Sequence, residues 1–142
     1  MHGGITMKAD LEKLIKSLGG GYFPKVIEGT GNISIGTSLL DGSNDGVEVY
    51  AYQVGDSIIV TDDGWTFAME CDYISQHTLF IRELLKSYPN VTNSGREIIL
   101  KTKKETFVQD FYVYMSALMH LVGFFEYGER WREWNEKCCD KE

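Results

Sequence analysis

The spacing of hydrophobic and polar positions changes along the chain, and each change marks an element. In "MKADLEKLIKSLGGG", Leu11, Leu14, Ile15 and Leu18 recur at helical spacing, and Gly19 to Gly21 supply a left-handed stop. The period then falls to two. In "GNISIGT", Ile33 and Ile35 alternate with Asn32 and Ser34; in "VEVYAYQV", Val47, Val49 and Ala51 alternate with Glu48, Tyr50 and Tyr52. Between them "DGSNDG", with Asp-Gly at Asp41–Gly42 and Asp45–Gly46, reads as a tight connection. "GDS" turns the chain into "IIVT", Ile58 to Thr61, and "WTFAME" beyond the next Asp-Gly corner fits a strand or a helix.

The second half is helical in pattern. Phe80, Ile81, Leu84, Leu85 and Tyr88 mark one stripe of a helix from Ser75 to Tyr88, with Ser75 as N-cap and Pro89 as terminator. "NSGREIILKTK" reads as a turn and one more strand, Glu97 to Lys101. From about Glu105 to Phe125, Phe107, Phe111, Met115, Leu118, Val122 and Phe125 step by three or four residues, joined by Val108, Tyr112 and Met119. That stripe is wide enough for the principal core helix. The order predicts an α+β domain: a small, mainly antiparallel sheet packed by an N-terminal helix, a middle helix and a long C-terminal helix. The domain is expected over residues 7–126, with 1–6 a flexible or foreign extension and 127–142 a charged extension bearing Trp131 and Trp134.

Composition keeps this picture and narrows it. A chain of 142 residues, 43% hydrophobic and 25% charged, suits one ordinary globular domain with a real core. No apolar run approaches the ~20 residues of a membrane helix, and "MHGGITMKAD" lacks the apolar centre of a signal peptide. Three cysteines, Cys71, Cys138 and Cys139, form no framework spacing and suggest free thiols in a reducing, cytoplasmic compartment.

Charge is unevenly spread. Between Val26 and Ile81 there is no lysine or arginine, while Glu28, Asp41, Asp45, Glu48, Asp56, Asp62, Asp63, Glu70 and Asp72 carry nine of the acids behind the net charge of −7. Such a half does not bind nucleic acid directly, because phosphate affinity comes from Lys and Arg. It suits a solvated acidic face, a basic protein surface or a divalent cation. The one basic run, "KTKK" at Lys101 to Lys104, is too short to argue otherwise and reads as solvation of a strand-to-helix junction.

The stretches "TSLLDGSNDGVEVY", Thr37 to Tyr50, and "IIVTDDGWT", Ile58 to Thr66, resemble an uncharacterised bacterial family, the domain of unknown function 1828. Its hallmark reads Thr-Pro-Phe-x-Asp-x-x-Asn-Asp-x-Ile-x-Ile-Tyr, then a hydrophobic strand ending Thr-Asp-Asp-Gly-x-Thr. The resemblance continues through "FIRELLKSYPNV" and "GREIILKT" into the long helix, roughly Gly31 to Phe125, with Ser38 and Leu39 standing where the pattern has Pro-Phe. It implies a fold topology and a bacterial or bacteriophage origin, and no activity.

Two chemistries compete for the acidic residues. A Mg²⁺- or Mn²⁺-dependent nuclease or phosphohydrolase would gather Asp41, Asp45, Glu48, Asp62 and Asp63, with Asp45, Glu48, Asp62 and Asp63 as the ligand set, and activate water. Against it, no lysine follows a strand carboxylate at nuclease spacing, and no EF-hand, HExxH or phosphate-cradling motif occurs. The plainer expectation is that Asp62-Asp63-Gly64 is a corner, since Asp bonds its own backbone and Gly tolerates positive φ. His77, His120 and Cys71 show no spacing that argues nucleophilic catalysis.

Aromatics make up 13% of the chain, and Tyr50 and Tyr52 flank the Glu48 side of a strand. An uncovered Tyr-Glu-Tyr face is of the kind that binds proteins; a covering helix would instead make the tyrosines half-buried core. The leading expectation is a non-catalytic interaction module without a cofactor. Its binding surface is Asp41, Asp45, Glu48, Tyr50, Tyr52, Asp62 and Asp63, offered to a basic partner surface. An inhibitor of a nucleic-acid-handling defence enzyme, in the manner of an anti-CRISPR protein, is one concrete form and an antitoxin-like partner another. A homodimer through the long helix and Trp131/Trp134 is compatible with either.

Overall fold

In a computed structural model, the structure describes residues 3–40, 46–64, 66, 79, 81–95 and 97–139. Helix α1 (Gly3–Lys16) is followed by strands β1 (Tyr22–Val26), β2 (Ile33–Leu40), β3 (Gly46–Val54) and β4 (Ser57–Thr61). A helical segment at 81–85 (α2) leads to β5 (Val91–Ser94), β6 (Glu97–Lys103) and the long helix α3 (Phe107–Cys139). The six strands form one antiparallel sheet in the order β1-β2-β3-β4-β6-β5. The α+β architecture is the expected one, but the sheet has two strands more than the alternation revealed.

Both additional strands are edges, and each is hidden by its own chemistry. β1 carries Pro24 at its centre, which argues against a strand interior. Ser38 N–H donates to Gly21 C=O at 3.0 Å and Ile27 N–H to Asn32 C=O at 2.9 Å. The backbone groups of the odd-numbered residues therefore face β2, and those of Tyr22, Pro24 and Val26 face the open edge. The missing N–H of Pro24 falls where an incoming strand would seek a donor, which protects the edge. β5 has only four residues, and its turn into β6 uses Gly95 at φ 60. The "NSG" that reads as a turn includes Asn93 and Ser94 of β5, and the turn itself comes at Gly95.

The alternation in β3 places Val47, Val49 and Ala51 on the core side, and the register aligns Ile33, Ala51, Val60, Leu100 and Val91 in one buried row across five strands. Against that inner face pack Leu11 and Ile15 of α1 with Leu18 just beyond its end, Ile81 and Leu85 of α2, and Phe107, Phe111, Tyr114, Met115, Ala117, Leu118 and Leu121 of α3. α1 lies over β1 and β3, and α3 lies over β6 beside α1. A buried Leu, Ile or Phe contributes about 1.5–3 kcal/mol, so this one cluster supplies most of the folding drive. α1 starts at Gly3, ahead of the Met7 expected from the pattern. The expected N-cap Ser75 lies outside the described residues.

α3 begins with a polar lock. Asp110 Oδ2 accepts the Thr102 hydroxyl at 2.6 Å and the Thr106 hydroxyl at 2.9 Å, tying the end of β6 to the helix's first turn. Among the described residues no helix is long and apolar enough to cross a membrane.

Candidate functional site

The Asp62 corner is built by backbone geometry. After β4 the chain reverses through Asp63 at φ 55 and Gly64 at φ 81, left-handed conformations that short polar residues and glycine tolerate. The Asp62 side chain turns inward and has no exposed surface (0%). Its Oδ1 accepts the N–H of Gly64 at 3.0 Å and that of Ile98 at 2.9 Å; Oδ2 accepts the N–H of Thr66 at 3.2 Å. Burial pushes this carboxyl above its ordinary value, and hydrogen bonds from Thr66, Ile98 and Gly64 pull the other way. The Thr66 hydroxyl, buried beside that carboxylate, makes no hydrogen bond of good geometry among the described residues.

Neighbouring hydroxyls complete the corner. Thr61 Oγ1 donates to Glu97 Oε1 at 2.8 Å and accepts the Asp63 N–H at 3.1 Å. On the far side of the Ile98 peptide, the buried Tyr114 hydroxyl donates to Ile98 C=O at 2.6 Å. At the other hallmark segment, Thr37 Oγ1 donates to Val47 C=O at 2.8 Å and accepts the Leu39 N–H at 3.2 Å, spanning an irregularity in the β2–β3 register. Thr37, Thr61, Asp62, Asp63, Gly64 and Thr66 thus each have a structural task.

Asp62 therefore does not belong to an exposed binding surface, as the sequence pattern had suggested. It is sealed in the sheet corner, and its two oxygens are engaged by backbone donors. Asp63 and Glu48 are exposed, while Asp41 and Asp45 lie outside the described residues. Among the described residues, no group of three or more His, Cys, Asp or Glu side chains is placed to hold a metal ion.

The outer face of the sheet carries the rest. Glu48, Tyr50 and Tyr52 alternate with the buried Val47, Val49 and Ala51, so the Tyr-Glu-Tyr stripe lies opposite the core. Glu48 accepts the Ser34 hydroxyl across the β2–β3 pair. Partial burial and then the charges of Glu48 and Asp63 raise the Tyr50 phenol above its ordinary value.

Register orders the outer face into rows. One row holds Phe23, Gly36 and Glu48, with Glu97 at the matching level of β6 beside the Asp63 corner. The next holds Lys25, Ser34, Tyr50, Thr61, Ile99 and Thr92. Beyond it come Tyr52, Ile59 and Lys101, then Val54, Ser57 and Lys103. Along the strands the face thus passes from Glu48, Asp63 and Glu97, through half-buried Tyr50, Tyr52, Ile59 and Ile99, to Lys101 and Lys103. Glu28 and Asp56 lie in the turns at the lysine end, outside these rows.

The sequence did not reveal Lys25, Glu97 and Lys101 as parts of this surface. The alternation in "EIILKTK" does assign Glu97, Ile99 and Lys101 to one face. That this strand lies beside β4, and so beside the lysine-free stretch, is a property of the sheet order. Of the acidic stretch, Glu48 and Asp63 lie at one end of this face, Glu28 and Asp56 lie in turns at the other, and Asp62 is buried.

The Trp131 and Trp134 side chains lie outside the described residues, although α3 continues helically through them. Neither the curated proteins nor the solved structures contain a significant match to the chain. A family does match, over residues 37–121, from the Thr37 that spans the β2–β3 irregularity to the last core leucine of α3. With well over half of its length matched, the chain belongs to the family described as domain of unknown function DUF1828.

Proposed function

We propose that this protein is a non-catalytic interaction domain whose outer sheet face binds a basic protein surface around Glu48, Tyr50 and Asp63. The observation that carries this reading is Tyr50 on the face opposite the core, with the exposed Glu48 two residues before it on β3 and the exposed Asp63 two residues past its β4 partner Thr61. A rigid aromatic with a polar tip, rimmed by charge, is a common anchor at protein interfaces. The sheet beneath holds it in place, so little side-chain entropy remains to be lost on docking. Enzymes that handle nucleic acids line their grooves with Lys and Arg, and a defence nuclease or a toxin of that kind is the partner class whose chemistry fits. The metal-dependent hydrolase reading is weakened because Asp62, one of its four ligands, is occupied by three backbone N–H groups.

The test is capture of bacterial proteins on the immobilised chain, followed by mass spectrometry. Lys/Arg-rich partners captured by wild type should be lost with Glu48→Gln/Asp63→Asn and retained with Glu28→Gln/Glu83→Gln. Partners insensitive to both pairs, and lost only on changes in α3, would refute the reading.

A further inference from the structure

Gly36 lies within β2, where nothing among the described residues requires a glycine. Its φ is outside the left-handed region. A Cβ built on it would meet only the Phe23 backbone oxygen at 3.8 Å and the Phe23 Cβ at 3.9 Å, ordinary van der Waals distances. The β2–β3 irregularity begins beyond it. A glycine inside a strand gives up packing and costs chain entropy, and where the fold does not need it, it leaves the backbone open to the close approach of another group. Gly36 pairs with Phe23 on one side and with Glu48 on the other, so on the outer face this bare peptide floors a slot between an aromatic ring and a carboxylate. Phe23 is 58% exposed, a large apolar side chain left in water beside the slot.

We infer that this slot receives an arginine side chain of the basic partner surface. This rests on the reading of the outer face as a protein-binding surface, and it names the residue such a surface recognises. Directly opposed residues of an antiparallel pair are about 5 Å apart at Cβ, and diagonal ones about 7–8 Å. The charge nearest Gly36 is therefore that of Glu48, while Lys25, opposite Ser34, stands on the diagonal. Asp63 and Glu97 lie at the same end of the strands and add to the negative charge there. Glu48 already accepts the Ser34 hydroxyl. That bond fixes where the charge stands, and a cation answers to the charge whether or not the carboxylate also accepts a hydroxyl. Strand spacing puts the Phe23 and Glu48 backbones about 10 Å apart across the glycine, which leaves room for one flat group between their side chains. Arginine suits that space better than lysine. Its guanidinium is planar, weakly hydrated and able to stack on a ring while pointing donors at a carboxylate, whereas the lysine ammonium is a compact, strongly hydrated point charge.

Fluorescence anisotropy of labelled oligoarginine and oligolysine peptides of equal length, titrated with the full chain at roughly 50 mM NaCl, tests this. The wild type should bind oligoarginine about fivefold more tightly than oligolysine. Gly36→Val fills the slot and should bring that ratio to about one, and Gly36→Ala, which adds only the Cβ, should lower it part of the way. Urea unfolding should find Gly36→Ala at least as stable as the wild type. Phe23→Leu keeps an apolar side chain but loses the ring, and should also bring the ratio to about one; Phe23→Trp should preserve it. A wild type without preference, or a preference that survives both Gly36→Val and Phe23→Leu, would overturn the inference. So would a Gly36→Ala variant less stable than the wild type, since the fold would then need the glycine, or a preference lost in Phe23→Trp. The reading beneath fails separately. Oligolysine binding that is lost with Glu48→Gln/Asp63→Asn but shows no preference for arginine would uphold the basic-partner surface and remove only the slot; a wild type that binds neither peptide would overturn both.

Discussion

Asp62 and Ile98 are 36 residues apart in sequence, yet Asp62 Oδ1 accepts the Ile98 backbone N–H at 2.9 Å from a fully buried position. This contact fixes the exit of β4 to the entry of β6, and Tyr114 of α3 holds the same residue through its carbonyl.

The contact predicts an asymmetry within the aspartate pair. Asp62→Ala leaves three backbone N–H groups without their acceptor, and buried donors so orphaned cost about 1–3 kcal/mol each, not fully additively. A loss of about 3–5 kcal/mol is expected in urea unfolding. Asp63→Asn should change stability by less than about 0.5 kcal/mol, because Asn also tolerates the left-handed conformation. Equal losses at the two positions would contradict the assignment of the corner to Asp62.

Tyr114 predicts a dependence on alkaline pH. Burial, then the charges of Asp62 and Glu97, hold its phenol well above the ordinary value, whereas in the unfolded chain it ionises near pH ~10. The folded state therefore keeps a proton that the unfolded state releases. The associated stability is complete below pH ~10 and is lost as pH rises above it. Tyr114→Phe should be less stable than wild type by about 1–2 kcal/mol at neutral pH, having lost the bond to Ile98 C=O. That gap should narrow as pH passes 10; a gap constant from pH 8 to 11 would count against the buried phenol.

The lock at the start of α3 predicts a cost independent of the sheet face. Asp110→Ala removes the acceptor of both Thr102 and Thr106 hydroxyls and an acid from the helix's first turn, worth about 1–2 kcal/mol together. Urea unfolding should show it with an unchanged m-value and with oligolysine binding intact. Lost binding in a folded Asp110→Ala variant would place the partner surface near α3.

Divalent metal separates the proposed function from its alternative. Ligand at a hundred times its dissociation constant stabilises the folded state by about 2.7 kcal/mol. Millimolar Mg²⁺ or Mn²⁺ should leave the thermal midpoint where equal ionic strength of NaCl leaves it. A metal-specific rise abolished by Glu48→Gln/Asp63→Asn would transfer these residues to the hydrolase reading.

Local periodicity made much of this fold legible. Leu11 and Ile15 on α1, Val47, Val49 and Ala51 on β3, and Phe107, Phe111 and Leu118 on α3 are buried as their spacing requires. The Asp-Gly corner after Thr61 was legible for the same reason, since left-handed backbone is a short-range demand that Asp63 and Gly64 meet themselves. β1 escaped because Pro24 reads as a break, and its edge position that makes the proline harmless is not a local property. β5 escaped because four residues beside Gly95 are too few for a period.

Sequence alone determined which residues share a face of each element, because a period of 2 or 3.6 is set by the covalent backbone and the alternation of side chains about it. The tertiary structure decided which elements are neighbours, and with that the character of the described candidate residues. Placing β6 beside β4 drew Asp62 onto the Ile98 amide and out of solvent, and brought Glu97 and Lys101 onto the Tyr50 face. Two adjacent aspartates with the same local chemistry were thereby separated into a buried fastening and an exposed charge. Burial depends on what the rest of the chain places around a residue, and spacing within a segment carries no record of it.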